Sequence, residues 1–143
     1  MELPHFYETK VRWTRGKEGE ISASALPPMH MGTALPFPGG RPDAWSPEHL
    51  FVAAINGCLM TTFFAIAENS RLAFESYECS ASGKMEQVEG RYMITEVKLK
   101  PVIRISHEKD LKRARRIIDK SESLCLVANS VKTRISLDPE ILI

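Results

Sequence analysis

The sequence is short of several things, and each shortage closes off a class of function. Net charge is nearly absent: 19 Lys+Arg stand against 18 Asp+Glu, a formal +1 over 143 residues. That balance gives no electrostatic case for nucleic acid or an anionic lipid surface as the main partner. Cysteine is scarce and odd in number. Cys58, Cys79 and Cys125 contain no CxxC pair and are too few for a secreted disulfide scaffold. No His or Cys pair has the spacing of metal ligands, so no metal site is expected. No apolar run reaches the roughly 18 residues of a membrane span, and MELPHFYETK lacks the basic-then-apolar layout of a signal peptide. With 43% hydrophobic residues, the chain is too apolar for a disordered tail. These exclusions leave a cytoplasmic globular protein, read as a single domain over residues 1–143 with no nucleic-acid or membrane partner.

What is present is organised by period. Tyr7, Thr9, Val11 and Trp13 alternate with Glu8, Lys10 and Arg12, the pattern of a half-buried strand. Arg15-Gly16-Lys17-Glu18-Gly19 reads as a turn, and Glu20 to Leu26 as the returning strand. Residues 26–47 then hold six of the nine prolines and three of the eight glycines, which predicts a long loop packed as a cover. Ser46-Pro47-Glu48 is a helix start: a capping hydroxyl, a proline at the first helical position and an acid at the positive end of the dipole. The apolar residues of the following run, LFVAAINGCLMTTFFAIAEN, lie nearly all round the cylinder. A helix of that kind is expected to be buried on most sides, with a subunit interface as a second wall.

Glu75–Val88 and Tyr92–Ile105 read as two strands joined at Glu89-Gly90, with Pro101 marking an edge or a bulge. His107–Lys120 reads as an amphipathic helix with Leu111, Ala114, Ile117 and Ile118 inward. A short helix around Leu124–Ser130 and a last strand, Val131 to Leu137, complete the order. The fold class is α+β with a mainly antiparallel sheet.

Of the three thiols, each alone reads as a small buried hydrophobe. Two features single out Cys58. Gly57 beside it weakens a helix by about 1 kcal/mol relative to Ala, which points to close packing or the approach of another group. Glu48 opens the same helix ten residues earlier. A neutral thiol is a poor nucleophile, and a nearby cation raises its thiolate fraction. Arginine suits that task because its planar fork bridges a thiolate and a carboxylate.

The pattern Ser46-Pro47-Glu48-x-Leu50-Phe51-x-Ala53-Ala54-x-x-x-Cys58, followed downstream by Leu124-Cys125-Leu126-Val127-Ala128-Asn129-Ser130-Val131, resembles the OsmC/Ohr family (osmotically inducible protein C and organic hydroperoxide resistance protein). The resemblance spans essentially the whole chain. It implies a thiol peroxidase with a long buried central helix, built as an intertwined homodimer with sites at the interface. Cys58 matches the peroxidatic cysteine and Cys125 the resolving one. Glu48 matches the carboxylate that orients an arginine over the thiolate. Arg15 is the best match for that arginine, with Lys17 and Arg41 as alternatives. The resemblance further implies an organic hydroperoxide substrate, no bound cofactor, and an external dithiol reductant of lipoyl type. The sequence departs from the commonest family pattern at Leu126, where many members carry proline, and around Arg41.

On one straight helix, Glu48 and Cys58 are about 15 Å apart along the axis. If both serve one site, the carboxylate is expected from a second subunit. Phe37, Trp45, Phe51, Met60, Phe63 and Phe64 suit a greasy substrate, and would serve equally as plain core. Two other readings stay open: a redox-inert binding module for a small apolar ligand, and a redox sensor.

Overall fold

The computed structural model describes residues 1–143, and contacts divide the chain into two units, Met1–Leu50 and Phe51–Ile143. The first is built on a three-stranded antiparallel sheet, β1 (Lys10–Arg15), β2 (Glu18–Ser22) and β3 (Met29–Gly32). The β1–β2 turn falls at Gly16, whose φ of +51° lies in the left-handed region that glycine adopts without steric cost. Trp13 Nε1 donates to the Gly16 carbonyl across this turn. Two expectations are corrected here. β1 is exposed along its whole length, not half-buried. The 26–47 segment is not all loop: Met29–Gly32 is a strand, laid on β2 just after Pro27-Pro28. Both prolines lie outside the ladder, so their missing N–H groups cost the sheet nothing.

Helix α1 (Pro47–Asn69) begins where the sequence places it. Ser46 is buried, and its Oγ accepts a hydrogen bond from the His49 N–H at 3.1 Å, satisfying one orphan donor of the first turn. The helix ends with Arg71 in the left-handed conformation (φ +55°) and the Leu72 N–H donating to the Ala67 carbonyl. Arg113 covers the same end, donating to the carbonyls of Ser70 and Arg71. Contrary to the sequence reading, α1 is long and apolar enough to cross a membrane by length and composition, with a mean hydropathy of 2.0. Asn, Gly and Thr interrupt its apolar run without adding charge.

In the second unit, β4 (Phe74–Val88) and β5 (Arg91–Ile105) form a long hairpin. Its turn, Glu89-Gly90, has positive φ at both residues (+51° and +79°), the primed geometry that matches strand twist. A 3₁₀ turn at Glu108–Asp110 leads into α2 (Leu111–Ser123) and the short α3 (Leu126–Asn129). Strands β6 (Arg134–Leu137) and β7 (Glu140–Leu142) then both pair parallel with β5. β7 was not expected from the sequence, because Asp138-Pro139 reads as a stop.

Pro101 is neither at an edge nor at a bulge: it is buried within β5, opposite Cys79 of β4. On the other side of β5, pairing with β6 stops at Leu99 and pairing with β7 resumes at Val102. Pro101 thus occupies the gap between two short partners.

The core of this unit is Ile55, Leu59, Phe63 and Ala67 of α1, with Val97, Leu99, Ile103 and Ile105 of β5 and Ala114, Ile117 and Ile118 of α2. Each buried large aliphatic or aromatic side chain contributes about 1.5–3 kcal/mol. The four buried α1 positions form one stripe at four-residue spacing, so α1 is not buried on most sides within this chain. Leu111, expected inward, is 41% exposed, while Ser121 is fully buried through a hydrogen bond to the Ile117 carbonyl. α1 and β4 approach closely at Gly83, where an added Cβ would meet Val52 Cγ2 at 2.5 Å. At Gly57, by contrast, a Cβ would meet nothing within 4 Å, so the close packing expected there is absent from this chain.

Candidate functional site

The second unit brings Cys58 and Cys125 together. Cys58 is partly buried on α1, two residues past Asn56, whose Nδ2 donates to the Cys79 carbonyl of β4. Cys125 is buried at the residue that opens α3, and its carbonyl accepts from the Asn129 N–H. Both thiols are reduced, and they are close enough for each to shift the ionisation of the other. The Val127 N–H donates to Cys58 Sγ at 3.5 Å, and Thr62 Oγ1 lies 4.0 Å from the same sulfur, one helical turn on.

These contacts split the two thiols chemically. Burial alone would push the Cys58 thiol up. The hydrogen bonds from Cys125, the Val127 N–H, Thr62 and the Leu126 N–H outweigh that and hold it below the ordinary thiol value. Burial pushes Cys125 up to about 11, reinforced by its hydrogen bond to Cys58 and the charge that Cys58 carries when ionised. The arrangement therefore makes Cys58 the more readily ionised of the two thiols. Cys79 is separate: it faces α1 from β4, and burial raises its thiol above the usual range.

The first unit holds the charged candidates. Glu18 is the hub, with its side chain only 11% exposed. His30 Nε2 lies 2.7 Å from Glu18 Oε1, Arg41 Nη1 lies 2.9 Å from Glu18 Oε2, and Arg15 Nε lies 3.6 Å from that same oxygen. Desolvation would raise the Glu18 carboxyl, yet the His30 hydrogen bond and the charges of Arg41 and Arg15 leave it below the ordinary value. Arg41 also makes two bonds to Asp43, at 2.8 and 2.7 Å, and its guanidinium pulls the Asp43 carboxyl down to about 2. Arg41 is thus committed to two carboxylates. Arg15 makes one longer contact and is 79% exposed, so its guanidinium is the freer of the two. Lys17 Nζ donates to the Pro38 carbonyl at 2.8 Å.

Sequence reasoning missed Glu18, Asp43 and His30. Their signal was present only as pairing: strand β3 was not foreseen, and it is β3 that sets His30 opposite β2. Glu48 lines a cleft of about 350 Å³ in the first unit, together with Val11, Trp13, Met31 and Phe37. Glu48 and Cys58 lie on one unbroken helix, ten residues apart.

A profile of the OsmC-like protein family matches residues 40–140 of the chain. Solved structures give the same fold. An OsmC-like protein of unknown function from Vibrio cholerae O1 biovar eltor superposes with a TM-score of 0.86 at 23% identity, covering 95% of this chain and 99% of that one. An OsmC-like protein from Mycoplasma pneumoniae gives 0.80 at 13% identity, covering 99% and 100%. An organic hydroperoxide resistance protein from Elizabethkingia anophelis gives 0.77 at 18% identity, covering 99% of both chains. No functionally curated protein matches the sequence.

Proposed function

The chain belongs to the OsmC-like family, and from that premise we propose that it is a cysteine-based peroxidase that reduces organic hydroperoxides to alcohols. The observation that carries the reading is the placing of Cys58 against the segment of Cys125, 67 residues away in sequence: the N–H of Val127, two residues past Cys125, donates to Cys58 Sγ at 3.5 Å. The name of the Elizabethkingia anophelis structure, an organic hydroperoxide resistance protein, points the same way.

In this reading the Cys58 thiolate attacks one oxygen of the O–O bond. The sulfur is oxidised to a sulfenic acid, and the other oxygen leaves as an alkoxide that takes a proton to become the alcohol. Cys125 then attacks the Cys58 sulfur, water leaves, and an intramolecular disulfide forms. A dithiol reduces that disulfide by exchange, through a mixed disulfide. A lipoyl-type dithiol is the proposed reductant, and the protein needs no bound cofactor. Glu48 orients the arginine that serves the reacting centre, with Arg15 as the proposed cation because Arg41 is already neutralised by Glu18 and Asp43. The protein acts in the cytoplasm as a homodimer. Support for the dimer comes from α1, whose apolar surface outside the Ile55–Leu59–Phe63–Ala67 stripe is left partly open by its own chain, and from the exposed β1 residues Val11 and Trp13.

One observation favours a second reading. The cleft lined by Val11, Trp13, Met31 and Phe37 is mainly apolar, as a binding module for a small apolar ligand requires. Turnover separates the two. Given cumene hydroperoxide and excess dihydrolipoamide, a peroxidase releases the alcohol catalytically, and Cys58→Ser abolishes this. No alcohol from the wild-type protein under these conditions would leave the binding module as the reading.

A further inference from the structure

Helix α2 carries its charges in an order that helix physics alone disfavours. Lys112, Arg115, Arg116 and Lys120 all lie on its exposed side, opposite the buried Ala114 and Ile118. The first turn holds Lys112 and Arg113 and no acid, although the positive end of the helix dipole favours carboxylates there. Lys112 stands three and four residues before Arg115 and Arg116, and Arg116 four before Lys120, spacings at which like charges repel. None of the four is held in an ion pair. Arg113, on the flank of the helix, is by contrast paired with Asp110 and donates to the carbonyls of Ser70 and Arg71. Asp119 is the one carboxylate among the four cations, so this face is a net +3 on a chain whose formal charge is +1.

The same face leads to the redox pair. α2 ends at Ser123; Leu124 and Leu126 are 54% and 70% exposed, and Cys125 between them is 2% exposed. Arg116 and Leu124 are about 12 Å apart along the axis. A macromolecule seated on the cations therefore stands within reach of Cys125 for a dithiol carried on a long flexible arm.

We propose that the exposed side of α2 is the docking surface for the protein that recycles the disulfide: an acidic carrier whose carboxylates meet Lys112, Arg115, Arg116 and Lys120, and which touches Leu124 and Leu126 beside Cys125. This role rests on the reading of Cys58 and Cys125 as the disulfide-forming pair. Charge complementarity of this kind adds more to encounter rate than to affinity, which suits a reductant that must leave after each turnover. The exposed leucines and Asp119 favour a protein over a nucleic acid, because a protein surface offers apolar and cationic partners and a phosphate backbone offers neither. Once the carrier is docked, one thiolate of its arm attacks a sulfur of the disulfide and displaces the other, which takes a proton. The second thiol of the arm then attacks the mixed disulfide, releases the remaining cysteine and leaves as a cyclic disulfide. Two electrons and two protons pass to the protein.

Two synthetic peptides carrying the same dihydrolipoyl-lysine, one flanked by glutamates and one by serines, test this on the oxidised full-length protein. Thiol release should be about tenfold faster with the acidic peptide at low salt. The advantage should vanish at about 1 M NaCl, where the screening length falls to about 3 Å. In Arg115→Glu/Arg116→Glu, and in Lys112→Glu/Lys120→Glu as a second variant, both peptides should act at the rate of the neutral one. Melting temperatures should be unchanged or raised, because repulsive pairs have been removed. Lys98→Glu/Lys100→Glu, on β5, should behave as wild type. Equal rates for the two peptides in the wild type, or an advantage that survives both reversals on α2, overturns the docking face. Fluorescence anisotropy of the labelled acidic peptide with reduced protein separates this from the peroxidase reading. If peroxide forms no disulfide, that reading fails, while binding that is lost on reversal still supports the face. A single-stranded oligonucleotide that binds more tightly than the acidic peptide, and is lost in the same variants, overturns the protein partner in favour of nucleic acid.

Discussion

Cys58 and Cys79 lie on facing elements, and their surroundings push them in opposite directions. The sign follows directly: a thiol whose value is lowered becomes thiolate at a lower pH, and the thiolate is the reactive form. Cys58 should therefore be the first of the three cysteines to alkylate as pH rises, ahead of Cys79, and ahead of Cys125 with its value near 11. Site-resolved alkylation across a pH series measures this order, and Cys79 reacting first would contradict it. The charged candidates make a second residue-scale prediction. Arg15→Ala should slow peroxide consumption by about tenfold or more, as expected for losing a charged hydrogen bond of roughly 1.5–3 kcal/mol. A steady-state assay with an alkyl hydroperoxide checks it, and unchanged turnover would transfer the task to Lys17 or Arg41. At this scale the sequence exposes the thiols and Glu48 through their place in a motif. It hides Glu18, Asp43 and His30, because a charge hub assembled across β2, β3 and the 41–43 loop leaves no trace in local spacing.

Cys58 is carried by α1, which packs on the β4–β5 hairpin and approaches it closely at Gly83. Gly83 leaves room for Val52, and a methyl group added there would stand 2.5 Å from Val52 Cγ2. Val is stiff about its first side-chain torsion and cannot swing away. Gly83→Ala should therefore cost about 1–3 kcal/mol, the range for overpacking, and Val52→Ala in the same chain should return part of it. Urea denaturation of the two variants and the wild type measures both effects. Local chemistry made most elements readable. Ser46-Pro47-Glu48 starts α1 where a capping hydroxyl and an N1 proline start a helix, and Glu89-Gly90 closes a hairpin where both residues take positive φ. The elements that escaped are β3 and β7, four and three residues long, too short for a period to show. Their existence is decided by partners, β2 for one and β5 for the other. Pro101 misled for a related reason: its tolerance in a central strand depends on a gap between β6 and β7 that no local pattern records.

At the scale of the molecule, α1 is apolar nearly all round but buried along one stripe only. Gly57 faces open space, β1 is exposed throughout, and Val11, Trp13 and Phe64 remain uncovered at 65%, 72% and 40%. Isolated exposed apolar residues need no explanation, whereas a set that includes a whole strand and much of a helix surface calls for a partner. A second copy of the chain is the proposed partner. Sedimentation at micromolar concentration should give a dimer, and a well-folded monomer would contradict that. The all-round apolarity of α1 was visible in the sequence. Which face its own chain covers was not, because that depends on how β5 and α2 pack against Ile55, Leu59, Phe63 and Ala67.

The central claim is that Cys58 and Cys125 form a working redox pair, with Cys79 outside it. The direct measurement is to treat the fully reduced protein with one equivalent of an alkyl hydroperoxide, quench at short times, and map disulfides by mass spectrometry. The account predicts rapid formation of a Cys58–Cys125 disulfide within one chain, absent in Cys58→Ser and unaffected by Cys79→Ser. Three thiols left unchanged by the peroxide, or a bond that runs through Cys79, would contradict it.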